Sequence, residues 1–350
     1  ISGNTFENNS NGIVVGFTGA DQSSVSVTNN VFAGNGVGIA SNQTTPITIG
    51  PDNLFTNNGQ ALEGDFDGDL PSGDRYVATD GDDSGNYCTD PGDECATVQH
   101  AVDVANGGDT IHVADGTYTA QTLVSGKTLT IEGQGAGTIL EATAAQMPVL
   151  PGSSQRPVVG ASGNADLTVK DLVVDGAARG TNNTSFAGVA YRDAGGEVNN
   201  VEIRDVRRPY TSAGPPPQVS GSQDGIGIYG FATAGDHHLT ITDSEILGFQ
   251  KTGVAVGSQY MSVEVTDNVI TCGGEQLTNA QNGLQIGWGT SPAWYAVKSA
   301  IATGNVMNGC QYRGASVTNA GGVLLYHDGD APGDVVFSNN SSNESDMGLY

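Results

Sequence analysis

Short runs in which apolar and polar residues alternate recur along this chain every 23 to 26 residues, as from Asn4 to Asn30 and from Asn30 to Asn53. The segment V-S-V-T-N-N-V-F-A-G-N-G-V-G-I, residues 25–39, shows the skeleton. It has an apolar-x-apolar run, a polar corner, a further apolar residue, a variable turn and a Gly-apolar step. Copies start at Ile1, Leu239, Val263, Ala300 and Val335, and looser ones at Leu167 and Val201. Alternation sends one side chain inward and the next outward, so each copy predicts three short strands separated by corners. Three such strands cannot bury their inner face alone, and the copies must stack about 4.8 Å apart into a solenoid. Val169, Ile203, Ile241 and Val265 are then expected as one interior ladder. Asp171, Asp205, Asp243 and Asp267 should share one corner, beside a row of Asn4, Asn268, Asn305 and Asn340 whose amides satisfy backbone groups at the bend. The fold class is all-β, a parallel β-helix.

The pattern lapses after Phe55, and an acidic Gly/Pro stretch follows, G-D-F-D-G-D-L-P-S-G-D. Residues 1–60 therefore read as the closing rungs of one solenoid, 61–74 as a linker, and 75–350 as a second solenoid. In the second, Val98, Ala101, Val102 and Ala105 lie at helical spacing. They predict a short capping helix over 97–105, with Thr97 as N-cap and Gly107 as the stop. Such a helix covers strand edges that would otherwise be open. Ile1 is in phase with Val27, and Gly348-Leu349 with Gly38-Ile39, so both ends are expected to fall within a rung.

The repeat with its corner asparagines resembles the pectate-lyase-like right-handed β-helix superfamily. The opening R-Y-V…C-T-D-P-G-D-E-C…G-D-T-I-H-V-A-D-G-T-Y also resembles the start of many surface β-helix domains. The resemblance implies a right-handed coil with ligands along the first-strand face. That strand is expected to follow Gly188, Gly225, Gly253, Gly283 and Gly322. Its outward positions are then Ala190 and Arg192, Gly227 and Tyr229, Ala255 and Gly257, Gln285 and Gly287, Leu324 and Tyr326. This gives a flat floor flanked by the long loops 175–187, 208–224, 272–282 and 287–299. Tyr229, Tyr326, Trp288 and Trp294 are placed to stack on sugar rings, or else to pack the loops onto the tube. The candidate glycan-binding set is Arg192, Tyr229, Gln285, Trp288 and Tyr326. No catalytic set is complete. Arg207-Arg208-Pro209 is similar to the Arg-x-Pro-x-x-Arg stretch of pectate lyases, but Ser212 stands where the second arginine belongs. Lys251 and His327 have no partner in the pattern, and adjacent His237 and His238 point opposite ways on a strand.

Charge narrows the picture. Twelve basic against 38 acidic residues give a net charge of −26, which repels phosphate backbones and anionic membranes. Asp65, Asp67, Asp69 and Asp74 in the linker offer hard oxygens for calcium, or form a solvated acidic segment. Asp80, Asp82 and Asp83 make a weaker cluster. Four cysteines suggest two disulfides, Cys88–Cys95 in the capping loop and Cys272–Cys310 between successive rungs, against free buried thiols. Disulfides place the chain outside the cell or on its surface. Asn8, Asn42, Asn182, Asn183, Asn339, Asn340 and Asn343 begin glycosylation sequons. The expected function is a structural or adhesive module of a tandem-domain, fibre-forming surface protein that associates with neighbouring copies and binds polysaccharide. The alternatives are a polysaccharide lyase or a carbohydrate-binding module.

Overall fold

A computed structural model describes residues 1–350 except 17–24, 34, 42–46, 51–52, 57–59, 64–65, 68–72, 85, 145–146, 182–184, 288–296, 317, 327–333 and 350; for 54–56, 60–63 and 66–67 it describes the backbone alone. The chain forms two compact units, 1–116 with 129–131, and 117–128 with 132–350.

Among the described residues of 1–67 in the first unit, three parallel sheets of three strands each wind around one core. Thr5–Glu7, Val31–Ala33 and Leu54–Thr56 pair so that Phe6, Phe32 and Phe55 are in register. Asn11–Val15, Val37–Ser41 and Gln60–Glu63 bring Ile13, Ile39 and Leu62 together. Phe32, Ile39, Ile47 and Ile49 are buried, and the Phe6 and Phe32 rings stack at 5.1 Å. The third rung extends further than the sequence pattern indicated. Gln60–Glu63 and Phe66–Asp67 are strands within the stretch read as linker, because Leu62 and Phe66 fall where earlier rungs carry Ile39 and Ile47. At the corner, Asn4 N–H donates to Asn30 Oδ1 at 2.9 Å, and Asn30 N–H to Asn53 Oδ1 at 3.1 Å.

The capping helix spans Val98–Val104. Thr97 Oγ1 accepts from His100 N–H at 3.2 Å, and Asp83 Oδ1 accepts from the N–H groups of Ala96 and Thr97. The helix ends at Ala105 in extended conformation, two residues ahead of the expected stop at Gly107. Arg75 accounts for the difference. It is fully buried, ion-pairs with Asp109 at 3.0 Å and donates to Val104 O at 2.9 Å, so it occupies the last helical carbonyl. Cys88–Cys95 closes the loop before the helix, with a Cα–Cα distance of 5.1 Å.

The second unit is a longer parallel β-helix. Its first strands are Thr122–Ser125, Gln155–Ser162, Ser185–Arg192, Ile226–Phe231, the opening half of Thr252–Thr266, Asn282–Ile286, Gly321–Leu325 and Met347–Leu349. The interior ladder on the second strands is Val169, Val198, Ile241, Val265, Ala302 and Phe337. Ile203 is not part of it. It lies on the third strand, paired with Val174 and Ile246, and the corner of that rung is Asn200 rather than Asp205. Two apolar-x-apolar runs, around Val198 and Val201, flank Asn200, and the pattern alone fits either. Asp171, Asn200, Asp243, Asp267 and Asn339 all have positive φ, near 55°, the left-handed conformation that Asp and Asn tolerate best. One residue on runs the ladder. Val201 N–H donates to Ser244 Oγ, Ser244 N–H to Asn268 Oδ1, Asn268 N–H to Asn305 Oδ1 and Asn305 N–H to Asn340 Oδ1, at 3.0 to 3.1 Å. Cys272–Cys310 joins neighbouring rungs across a Cα–Cα distance of 5.0 Å.

Candidate functional site

The first-strand face of the second unit carries Ala190, Tyr229, Ala255, Gln285 and Leu324 as one outward ladder. Arg192, Phe231 and Gly257 form the next. The expected floor is therefore present with one rung shifted by two residues. Gly227, not Gly225, is the counterpart of Gly188 and Gly253, which brings Phe231 outward beside Arg192. Gly227 itself turns inward, where any side chain would strike Gly253 O and Ile246.

The floor is not uniformly open. Over Ala190, Tyr229 and Phe231 lies Leu150, fully buried in one apolar cluster with them and Ala187. Leu150 begins the turn L-P-G-S, in which Ser153 N–H donates to Leu150 O at 3.1 Å and Gly152 takes φ of +72°. Proline followed by a left-handed glycine is the composition of a type II turn. Gln121 Nε2 fastens its approach through the carbonyls of Pro148 and Pro157, both at 2.9 Å. Gly160 is needed beneath, since a Cβ there would lie 2.8 Å from Leu150 Cδ1.

Arg192 is held in place on this floor. Its Nε lies 3.3 Å from Asp193 Oδ2, and its guanidinium sits over the Phe231 ring at 4.9 Å. Burial acts to raise the Asp193 carboxyl, but hydrogen bonds from Thr233 and the charge of Arg192 outweigh it and hold the group below its ordinary value. Tyr229 is 8% exposed, and burial pushes its hydroxyl up despite Arg192 and Gln155 beside it. Of the expected glycan-binding residues, Arg192 and Tyr229 thus meet under a self-made cover. Gln285 is half-buried and Tyr326 is exposed at 37%, at the open end of the face. Trp288, Trp294 and His327 lie outside the described residues.

The loops beside the face are built as one body. Gln276 Oε1 accepts from Val219 N–H at 2.9 Å while its Nε2 donates to Pro217 O. Gln218 bridges Glu275 O and Leu277 N–H, and Asn279 Nδ2 reaches Ser220 O, Ser222 O and Gln250 O. Gln250, Gln276, Asn279 and Gln281 are at most 1% exposed. Sequence reasoning missed these amides, although three of them, Gln276, Asn279 and Gln281, fall within the single loop 272–282. We expect Gln276→Ala to strand Val219 N–H at a cost of about 2 kcal/mol. Limited proteolysis should then cut within 208–224 at least tenfold faster; an unchanged rate would assign the loop's order elsewhere.

The remaining cations are engaged or screened. Arg207 pairs with Asp205 at 2.8 Å and lies 3.5 Å over the Tyr210 ring, while Arg208 pairs with Asp224 at 2.9 Å. Lys251 Nζ donates to Ala280 O, and burial lowers its amine to about 8. His237 meets Ala234 O and His238 meets Thr240 Oγ1, so the adjacent histidines do not converge. Of the acidic stretch, Asp65 and Asp69 lie outside the described residues and Asp67 shows only its backbone. Asp74 accepts from Thr110 N–H and contacts His112 Nε2 at 3.1 Å. Asp82 accepts from Ser84 N–H and Asp83 caps the helix, so both serve backbone donors. On the outer side of the corner, a groove of about 360 Å³ is lined by Glu202, Asp243, Glu245 and Asp267.

No family model matches the chain, and no curated protein matches it. Among solved structures it is similar to pectin methylesterases. The carrot enzyme shares 12% identity over 80% of this chain and 88% of that one, with a TM-score of 0.44. PemA from Erwinia chrysanthemi shares 11% over 80% and 81%, at 0.41. The Aspergillus niger enzyme shares 13% over 79% and 88%, at 0.38. No residue role is carried over from them.

Proposed function

We propose that this chain is a non-catalytic module of an extracellular surface protein, structural or adhesive in role, which associates with neighbouring copies and holds polysaccharide on the open end of its first-strand face. The observation that carries this reading is the engagement of the cations flanking that face. Glycan cleavage needs a base and a charge-stabilising group aimed at one sugar. Arg192, Arg207 and Arg208 are each turned to a carboxylate of the chain itself. Gln285, Leu324 and Tyr326 offer an amide, an apolar floor and an exposed ring, which suit binding. Two disulfides support an oxidising compartment. The chain should release neither unsaturated nor reducing ends from pectin, alginate or chondroitin. Weak binding to immobilised polysaccharide should fall at least fivefold in Tyr326→Ala; cleavage, or binding indifferent to that substitution, would refute the reading.

Lys251 favours a second reading, a polysaccharide lyase. An amine lowered to about 8 with no carboxylate partner among the described residues suits proton abstraction near neutral pH. Unsaturated product that rises towards pH 8–9 and disappears in Lys251→Met would establish it. Calcium on Asp65, Asp67, Asp69 and Asp74 also belongs to the proposal. Calorimetric titration should show heat that is lost when Asp67 and Asp69 become Asn, and no heat in the native chain would remove the ion.

A further inference from the structure

The cluster beneath Leu150 has more polar capacity than its packing uses. Gln155 is 8% exposed, and its Oε1 is buried without a hydrogen-bond partner among the described residues. The Nε of Arg192 is likewise buried and lacks a hydrogen bond, since its approach to Asp193 is an ion pair without alignment. Gln155 Oε1 thus stands without a hydrogen bond, and Arg192 Nε with only its ion pair to Asp193, beside the Tyr229 hydroxyl, next to two aromatic rings, under one leucine. Buried polar atoms are seldom left unmatched, and a leucine cannot match them. Aromatic surface with a neighbouring donor and acceptor is what the ring face and hydroxyls of a pyranose require. Asp193 neutralises Arg192, so the spot carries no net positive charge, and the chain at −26 repels polyanions. A neutral sugar fits where a uronate does not.

We propose that the Leu150–Ser153 turn is a built-in plug over a neutral-sugar subsite formed by Tyr229, Phe231, Arg192 and Gln155. Leu150 occupies the place of the sugar, and the subsite fills when the turn withdraws. The turn is suited to moving as a unit: its hydrogen bonds are internal between Leu150 and Gln155, and Gln121 ties only its approach. The inference rests on the glycan reading of this face but fails separately from it. Binding lost in Tyr326→Ala bears on that reading, whereas binding gained by freeing the turn bears on this one.

The test measures affinity for neutral gluco-, xylo-, galacto- and manno-pentaoses, with oligogalacturonate as the charged control. Leu150→Ala should bind at least one neutral pentaose tenfold or more tighter than the native chain. Gln121→Ala, which touches no floor residue, should gain a smaller factor. Adding Gln155→Leu or Arg192→Met should abolish the gain. Thermal melting confirms that each variant is folded, and if Leu150→Ala is not, Gln121→Ala decides. In the native chain, saturating pentaose should speed hydrogen exchange at Ser153 N–H. No gain in either folded variant, a gain that survives the Gln155 and Arg192 changes, tighter binding of oligogalacturonate, or unchanged exchange at Ser153 would each overturn the plug.

Discussion

Asn305→Ala should lower the unfolding free energy by about 3 kcal/mol, among the largest losses from any single truncation at the corner. Asn305 is fully buried. Its Oδ1 accepts from both the N–H and Nδ2 of Asn268, and its Nδ2 donates to Val265 O at 2.7 Å. Alanine leaves an N–H and a carbonyl buried without partners, and each costs about 1–3 kcal/mol. Asn305→Ser should recover roughly half, because Ser244 already does the same work one end of the ladder along, accepting Val201 N–H at 3.1 Å. Urea midpoints of the three proteins check the order. A loss under 1 kcal/mol for alanine would mean the ladder accompanies the corner without holding it.

Lys251→Met should stabilise the chain at pH 7, by about 2 kcal/mol. Burial lowers the Lys251 amine from 10.5 to about 8, so between these values the unfolded chain binds more protons than the folded one. Stability therefore rises with pH across that window. Below pH 8 the folded state carries the whole penalty, of order 3 kcal/mol for such a shift, and above 10.5 it carries none. Methionine keeps the packing and removes the charge, but forfeits the bond to Ala280 O, worth about 1 kcal/mol. The advantage of the variant should shrink from pH 8 upward, vanish at about pH 10 and reverse above it, where only the lost bond to Ala280 O remains. A constant difference across pH would place the effect in packing and not in the amine.

The sequence carried the solenoid because its signal is repetition. Val169, Ile241 and Val265 could be aligned with no knowledge of turns, and the Asn4–Asn30–Asn53 and Asn268–Asn305–Asn340 rows followed. Phase within a rung was harder to read. Around Val198 and Val201 two alternating runs flank Asn200, and around Gly225 and Gly227 two glycines compete, so a two-residue shift leaves the pattern intact while moving Ile203 and Phe231. Contacts set by tertiary packing were invisible. Nothing local in Leu150 says that it will lie on Ala190. Arg75 likewise looked like the start of a strand, and its burial against Val104 O and Asp109 comes from a helix some thirty residues later. The candidate site was legible as a strip of outward positions, and illegible as to which of them the chain covers itself.

The corner ladder also has a direction. Every N–H in it points to a side-chain oxygen of the rung that comes later in the chain, 43 residues on for Val201, 24 for Ser244, 37 for Asn268 and 35 for Asn305. A ribosome delivers this chain from the first residue onward, so each newly wound corner waits with an unmet donor until the following coil arrives. Closing 37 residues instead of 24 adds only about 0.4 kcal/mol of chain entropy, so the long loops lengthen the wait far more than they weaken the closure. In a chain wound in the order of its synthesis, the youngest coil is therefore the one whose corner donors are met by water alone.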